Sequence, residues 1–180
     1  MLQILAVLFV LYTAEAQDLP YPLKNPSPVT SPFGDRKNPL GSGAGFHSGI
    51  DLGVPTGSSV FAVGDGTVVS CYPPPSKRFK GDLVFGGMLV LKTKYRGINV
   101  YVLYGHLSGV YVHEGQSVNS GQIIGSTGKT GEATGPHLHF QIMLDPIEAL
   151  DFYSNLLDTP GVRDFTGIPP VPKIPNASLK

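Results

Sequence analysis

The sequence predicts a mainly β fold with one short C-terminal helix, and three observations carry that reading. Glycine and proline are abundant, at 23 and 17 of 180 residues, while charged residues make up only 14 %; that mix suits short strands and turns better than helices. The apolar runs are short and bounded by glycine. No stretch before residue 145 sustains a helical period of apolar residues.

The chain opens with "MLQILAVLFVLYTAEAQ". Its apolar run from Leu2 to Tyr12 is too short to span a bilayer, and Ala14-Glu15-Ala16 supplies a small-x-small cleavage pattern. Residues 1–16 are therefore expected to be a secretory signal cut after Ala16. The mature protein is expected to be secreted or extracytoplasmic, with no integral membrane segment. Residues 17–28 hold four prolines and read as an extended lead-in.

From Val29 onward "GIDLGV", "SSVFAV", "GTVVSCY", "GMLVLKTKY", "INVYVLYGHL" and "QIIGS" read as strands. "AVGDG" (62–66) is a tight-turn signal of the hairpin type. Residues 72–87, "YPPPSKRFKGDLVFGG", form a proline-led basic interruption that reads as a long exposed loop. "DPIEALDFYSNLL" is the one helical pattern, with Pro146 in a first turn and Ile147, Leu150, Ser154 and Leu157 along one face. Residues 159–180 are proline-rich and aperiodic and read as a flexible tail.

Charge narrows the partners. Thirteen basic residues balance thirteen acidic ones, so nucleic acid is not an expected partner. The chain is expected to act as a monomer. A single cysteine, Cys71, forbids an internal disulfide and a thiolate zinc cluster; it reads as a half-buried thiol. Any metal must then be held by histidine and carboxylate.

Four of the five histidines fall in three short motifs. In "GPHLHFQIM", Leu138, Phe140 and Ile142 alternate with His137, His139 and Gln141, which is a strand pattern. Residues two apart in a strand share a face, so both imidazoles stand side by side roughly 7 Å apart. One of them is then able to bind an ion while the other touches what the ion binds. "FHSGIDLG" places His47 four residues before Asp51. In a straight strand these would be roughly 13 Å apart. They share an ion only if the chain turns between them, and Ser48-Gly49 allows that turn. Two histidines and an aspartate would make a three-ligand zinc site with a fourth position for water. "YVLYGHLS" ends an alternating strand on His106. His113, in "YVHEGQ", reads as an ordinary hydrogen-bonded surface or core residue.

With these motifs in place the chain resembles the lysostaphin-type zinc metallopeptidases, which cut peptide cross-links of bacterial cell walls. "TSPFGDR", "GFHSGIDLGVPTGSSVFAVGDGTVV", "YGHLS" and "VHEGQSVNSGQIIGSTGKTGEATGPHLHF" carry the match in family order, from about Thr30 to Leu150. The resemblance implies an antiparallel β-sheet core of the duplicated hybrid motif type with an open groove, within a metallopeptidase domain at 29–158. It implies Zn2+ held by His47, Asp51 and His139, with His106 and His137 as the unligated catalytic pair. It also implies a peptidoglycan peptide as substrate. Gln141 stands where the family often has glutamate, and reads as a structural residue or a support for a ligand. Arg36, with Lys77, Arg78 and Lys80, is a candidate to meet substrate carboxylates, against the simpler reading of solvated loop charges.

The implied activity is zinc-dependent endopeptidase hydrolysis, with zinc-bound water as nucleophile. One catalytic histidine accepts the water proton and later protonates the leaving amine. The other donates to the developing oxyanion; the sequence leaves the order of the two open. The alternative is a non-catalytic cell-wall-binding or regulatory module on the same fold. A lipoyl-type carrier domain would need an exposed lysine beside methionine at a turn. Lys129 lacks that neighbour, and a carrier has no use for the histidine motifs.

Overall fold

The computed structural model describes residues 19–39, 41, 43–74, 84–95 and 97–144. The expected signal, the C-terminal helix, the tail and the basic centre of the 72–87 loop lie outside the described residues. All named elements are strands. They are β1 (Val29–Ser31), β2 (Gly34–Lys37), β3 (Ala44–His47), β4 (Ile50–Gly53), β5 (Ser59–Phe61), β6 (Gly66–Tyr72), β7 (Gly87–Tyr95), β8 (Ile98–Val110), β9 (Ser117–Val118), β10 (Ile123–Thr127) and β11 (His137–Leu144).

Nine of these strands form one antiparallel sheet, in the order β1-β4-β11-β8-β7-β6-β9. β10 joins β8 and carries β5 on its other side, while β2 and β3 pair as a separate ribbon. The expected mainly β fold with an antiparallel core is thus the observed one. β7 and β8 form its centre because their residues are apolar on both faces. Leu89 and Leu91 bury one way with Val60, Tyr104 and Ile124; Met88 and Val90 bury the other way with Leu103 and Met143. This is the period-2 alternation of a strand covered on both sides. Truncating a leucine such as Leu89 (0 % exposed) to alanine is expected to cost about 2–5 kcal/mol.

Two sequence readings need revision. "AVGDG" makes no hairpin, because β5 pairs with β10 whereas β6 pairs with β7 and β9. Its glycines serve close packing instead: a Cβ at Gly64 would strike the Thr93 hydroxyl, and one at Gly66 the Lys92 carbonyl. The described part of the proline-rich lead-in is also more than a spacer. Leu19 and Leu23 are buried in the main core, Leu23 bridges Val60, and the Pro22 carbonyl accepts the Phe61 N–H at 2.8 Å.

β1, β2, β3 and β9 were not legible as strands. They are two to four residues long, and the first three are largely exposed, so they carry no apolar alternation. Cys71 is half-buried, with burial pushing its thiol pKa up, and His113 is exposed; both match their plain readings.

Candidate metal centre and its histidine pair

The centre is assembled by sheet register. β11 lies between β4 and β8, and its His139 stands opposite Asp51 on one side and Gly105 on the other. His47 ends β3 on the separate ribbon. The chain then bends at Ser48-Gly49 into β4, which brings His47 back over Asp51, as the spacing required. The bend tolerates only glycine: a Cβ at Gly49 would lie 2.6 Å from the Phe140 carbonyl oxygen and 2.8 Å from His139 Nε2.

Three acceptor atoms meet at one point. His47 Nε2 is 3.0 Å from Asp51 Oδ1, His139 Nδ1 is 3.1 Å from the same oxygen, and the two ring nitrogens are 3.1 Å apart. All three residues are buried. The outer bonds fix which nitrogens carry protons. His47 Nδ1 donates to the Pro32 carbonyl at 2.9 Å, and His139 Nε2 donates to Gln141 Oε1 at 3.2 Å. Both inward nitrogens therefore present lone pairs toward a carboxylate oxygen, an arrangement that calls for a cation. Ligands bound at about 2.0–2.1 Å around a tetrahedral ion lie about 3.3 Å apart, close to the triangle observed. The donor set of two imidazoles and one carboxylate suits zinc with an open fourth position.

The surroundings support these residues. Gln141 is 1 % exposed; its Oε1 also accepts the Ser48 hydroxyl at 2.8 Å, while its Nε2 has no partner among the described residues. It thus orients the His139 ring, in keeping with the reading of a support for a ligand. Arg36 Nη1 lies 3.4 Å from Asp51 Oδ2 and also bonds the Ser31 hydroxyl. That contact leaves Oδ1 as the Asp51 oxygen facing the centre. Burial alone would raise the Asp51 pKa. The hydrogen bonds and charges of His139 and His47 outweigh it and hold the carboxyl well below the usual carboxylate range. Burial lowers the pKa of His139.

Two more histidines stand beside the triangle. The His137 ring is on the same face of β11, with Nε2 3.5 Å from Asp51 Oδ1 and Nδ1 bonded to the Gly135 carbonyl at 2.8 Å. The His106 ring centroid lies 4.5 Å from that of His137 and 6.0 Å from that of His139. His106 reaches this place through a bulge. Leu89 pairs with Tyr104 but Gly87 pairs with Leu107, so β8 spends three residues where β7 spends two. Such bulges re-aim a side chain. His106 has φ 61°, the only positive φ of a non-glycine among the described residues. Its Nδ1 donates to the Thr130 carbonyl at 2.7 Å, leaving the Nε2 lone pair free for chemistry. Burial, with smaller contributions from His137 and His139, lowers its pKa to about 4, so it is neutral near pH 7.

All of this lines a groove of about 580 Å³, with Phe46, Phe85, Glu132 and Thr134 on its walls. Arg36 is on that wall too. The described end of the 72–87 loop, Val84 and Phe85, forms part of one wall, and the Phe85 ring sits 5.0 Å from His139. The structure brings together all five residues that the motifs single out. The residues that sequence reasoning missed are Ser31, Pro32, Phe85, Thr130 and Gly135, along with the bond of the Ser48 hydroxyl to Gln141. Most act through a main-chain carbonyl or a single hydroxyl, and such roles leave no residue-type signature.

Comparison with known proteins agrees with this geometry. The model of "Peptidase family M23" matches residues 45–151. A Vibrio cholerae protein named peptidoglycan DD-endopeptidase ShyA is 33 % identical over 133 residues, covering 72 % of this chain and 28 % of its own length. The DD-carboxypeptidase/endopeptidase Mpg of Neisseria meningitidis is 36 % identical over 117 residues, covering 65 % of this chain and 24 % of its own. The chain thus spans about a quarter of the length of these curated relatives. Among solved structures, a zinc-containing peptidase from Vibrio cholerae superposes with a TM-score of 0.59 at 32 % identity, over 72 % of this chain and 37 % of that one. The catalytic domain of the antimicrobial peptidase lysostaphin from Staphylococcus simulans gives 0.55 at 32 % identity, over 68 % of this chain and 84 % of that one.

Proposed function

The chain belongs to peptidase family M23, and from that premise we propose that it is a zinc-dependent endopeptidase that hydrolyses peptide cross-links of bacterial peptidoglycan at the cell envelope. The observation that carries the proposal is the convergence of three lone-pair donors, His47 Nε2, Asp51 Oδ1 and His139 Nδ1, beside two further histidines on the floor of an open groove. The names of the ShyA and Mpg relatives support direct D-alanyl cross-links, rather than glycine bridges, as the bond cut.

Zinc, when bound, supplies Lewis-acid polarisation of a carbonyl and acidifies water. The chain's own groups supply the rest. His106 accepts the proton of the attacking water at Nε2, because its Nδ1–H is committed to Thr130 and burial keeps the ring neutral. It then passes that proton to the leaving amine as the peptide bond breaks. His137 also commits its Nδ1–H to a carbonyl, so it donates from Nε2 only as imidazolium. In that form it stabilises the developing oxyanion. This ordering, with His106 as base and His137 as donor, rests on the deeper burial of His106, since both rings commit Nδ1–H to a carbonyl. Phe85 covers the His139 ring from one side. Arg36, on the groove wall, is assigned to a carboxylate of the peptide.

Purified sacculi incubated with the protein test the proposal. Zinc-dependent release of cleaved muropeptides, abolished by a chelator and by His106→Ala, is the expected result. Activity that survives the chelator overturns it. Secretion by cleavage after Ala16 belongs to the same reading, and N-terminal sequencing of exported protein checks it.

A further inference from the structure

One turn outside the metal triangle holds the groove together in a way the roles above do not use. Thr130 makes three bonds to two strands. Its carbonyl accepts His106 Nδ1–H at 2.7 Å; its hydroxyl donates to the Leu107 carbonyl at 2.8 Å and accepts the Gly87 N–H at 2.9 Å. Gly87 begins β7, and Leu107 follows His106 at the bulge where β8 departs from register with β7.

The same turn is clamped from the other side. Glu132 N–H donates to the Val84 carbonyl at 2.8 Å. Gly86 and Gly131 have φ 62° and 70° and pass so close that a Cβ on Gly86 would lie 2.5 Å from Gly131 N. A Cβ on Gly131 would lie 2.5 Å from the Val84 oxygen. The exit of the 72–87 loop, the turn and the His106 bulge therefore form one interlocked unit.

From this we propose that Thr130 is the positioning residue of the catalytic histidine: its hydroxyl, bridging β7 and β8 across the bulge, holds its own carbonyl where it fixes the His106 tautomer and aims Nε2 into the groove. The inference rests on the hydrolase reading for its consequence in rate, but not for its structural claim. A non-glycine backbone with φ 61° persists only where its surroundings over-determine it. The Thr130 bonds to the His106 ring, the Leu107 carbonyl and the Gly87 N–H are among the described contacts around it. Thr130 also gives the end of the 72–87 loop a route to the chemistry, because Gly87 and Val84 meet the turn directly.

The test uses the zinc-loaded full chain and compares wild type with Thr130→Val and Thr130→Ser. Valine keeps the shape and loses the hydroxyl bonds; serine keeps them. Nitrogen-15 NMR of the histidine rings reads the tautomer of His106 without reference to turnover. Wild type and Thr130→Ser are expected to show Nδ1–H at His106, and Thr130→Val a mixture of tautomers. Zinc stoichiometry is expected to be unchanged in all three. With a cross-linked muropeptide as substrate, kcat is expected to fall roughly tenfold or more in Thr130→Val, part of the 10²–10⁴ that a general base contributes, with KM little changed. An Nε2–H tautomer in wild type overturns the proposal, as does a Thr130→Val protein with the wild-type ring pattern and kcat. Where the valine variant does not fold, Thr130→Ala, which also lacks the hydroxyl, is read in its place, with the same mixture of tautomers expected and a wild-type ring pattern overturning the proposal. If wild type turns over no muropeptide, the hydrolase reading fails, and the positioning claim is decided by the ring spectra of wild type and the variants alone.

Discussion

His139 and Asp51 face each other as a cross-strand pair of β11 and β4, with His139 Nδ1 3.1 Å from Asp51 Oδ1. His47 comes from a different sheet yet completes the triangle at 3.0 Å from the same oxygen. Removing any one of the three leaves the remaining two unable to hold an ion with useful affinity. Asp51→Ala and His139→Ala are expected to lose zinc and hydrolysis together, as measured by metal content after dialysis and by muropeptide release.

His106 and His137 are expected to behave differently from the ligands. His106→Ala retains zinc at wild-type stoichiometry but loses roughly 10² to 10⁴ in rate. Metal analysis and steady-state kinetics on the same preparation separate the two classes; a His106→Ala protein without zinc would move that residue into the ligand set.

The HxxxD and HxH motifs were legible because they obey strand geometry. Residues two apart share a face, and a four-residue spacing works only with a turn, which Ser48-Gly49 supplies. The bulge at His106 was not legible, because it arises from a mismatch between β7 and β8, which no single segment records. "AVGDG" misled for a related reason. Its glycines are there for contact with Thr93 and Lys92, and a hairpin turn and a close approach ask for the same residue. The resemblance supplied the ligand set; the register explains why those residues meet.

Gln141 sets the His139 tautomer from behind. Gln141→Leu removes the acceptor at 3.2 Å and is expected to weaken zinc binding by 10- to 100-fold, read by competition with a chromogenic chelator. Gln141→Glu restores an acceptor and is expected to bind zinc at least as tightly as wild type.

Gly49 is a packing test of the same centre. Gly49→Ala puts a methyl group 2.6 Å from the Phe140 carbonyl and 2.8 Å from the His139 ring. One of them must move. Lower thermal stability and reduced zinc content are expected, by calorimetry and metal analysis.

The zinc-free protein is expected to lose stability in acid in two stages. His106 binds its proton less readily folded, at about 4, than unfolded, near 6.5. The folded state is then at full strength above about pH 6.5 and weakens as pH falls toward 4, by on the order of 3 kcal/mol. Asp51 is lowered, so its contribution is present above the ordinary carboxylate range and fades as pH falls below about 4. Urea midpoints across pH 3–8 check this, and His106→Phe is expected to reduce the upper stage, leaving the part that buried His139 contributes.

The most direct test of the account is anomalous diffraction at the zinc edge from crystals of the zinc-loaded protein. The account predicts a single strong peak within about 2.0–2.2 Å of His47 Nε2, Asp51 Oδ1 and His139 Nδ1, with His106 and His137 beside it but not bound. A peak elsewhere, or one ligated by His106 or His137 in place of these three, would contradict it.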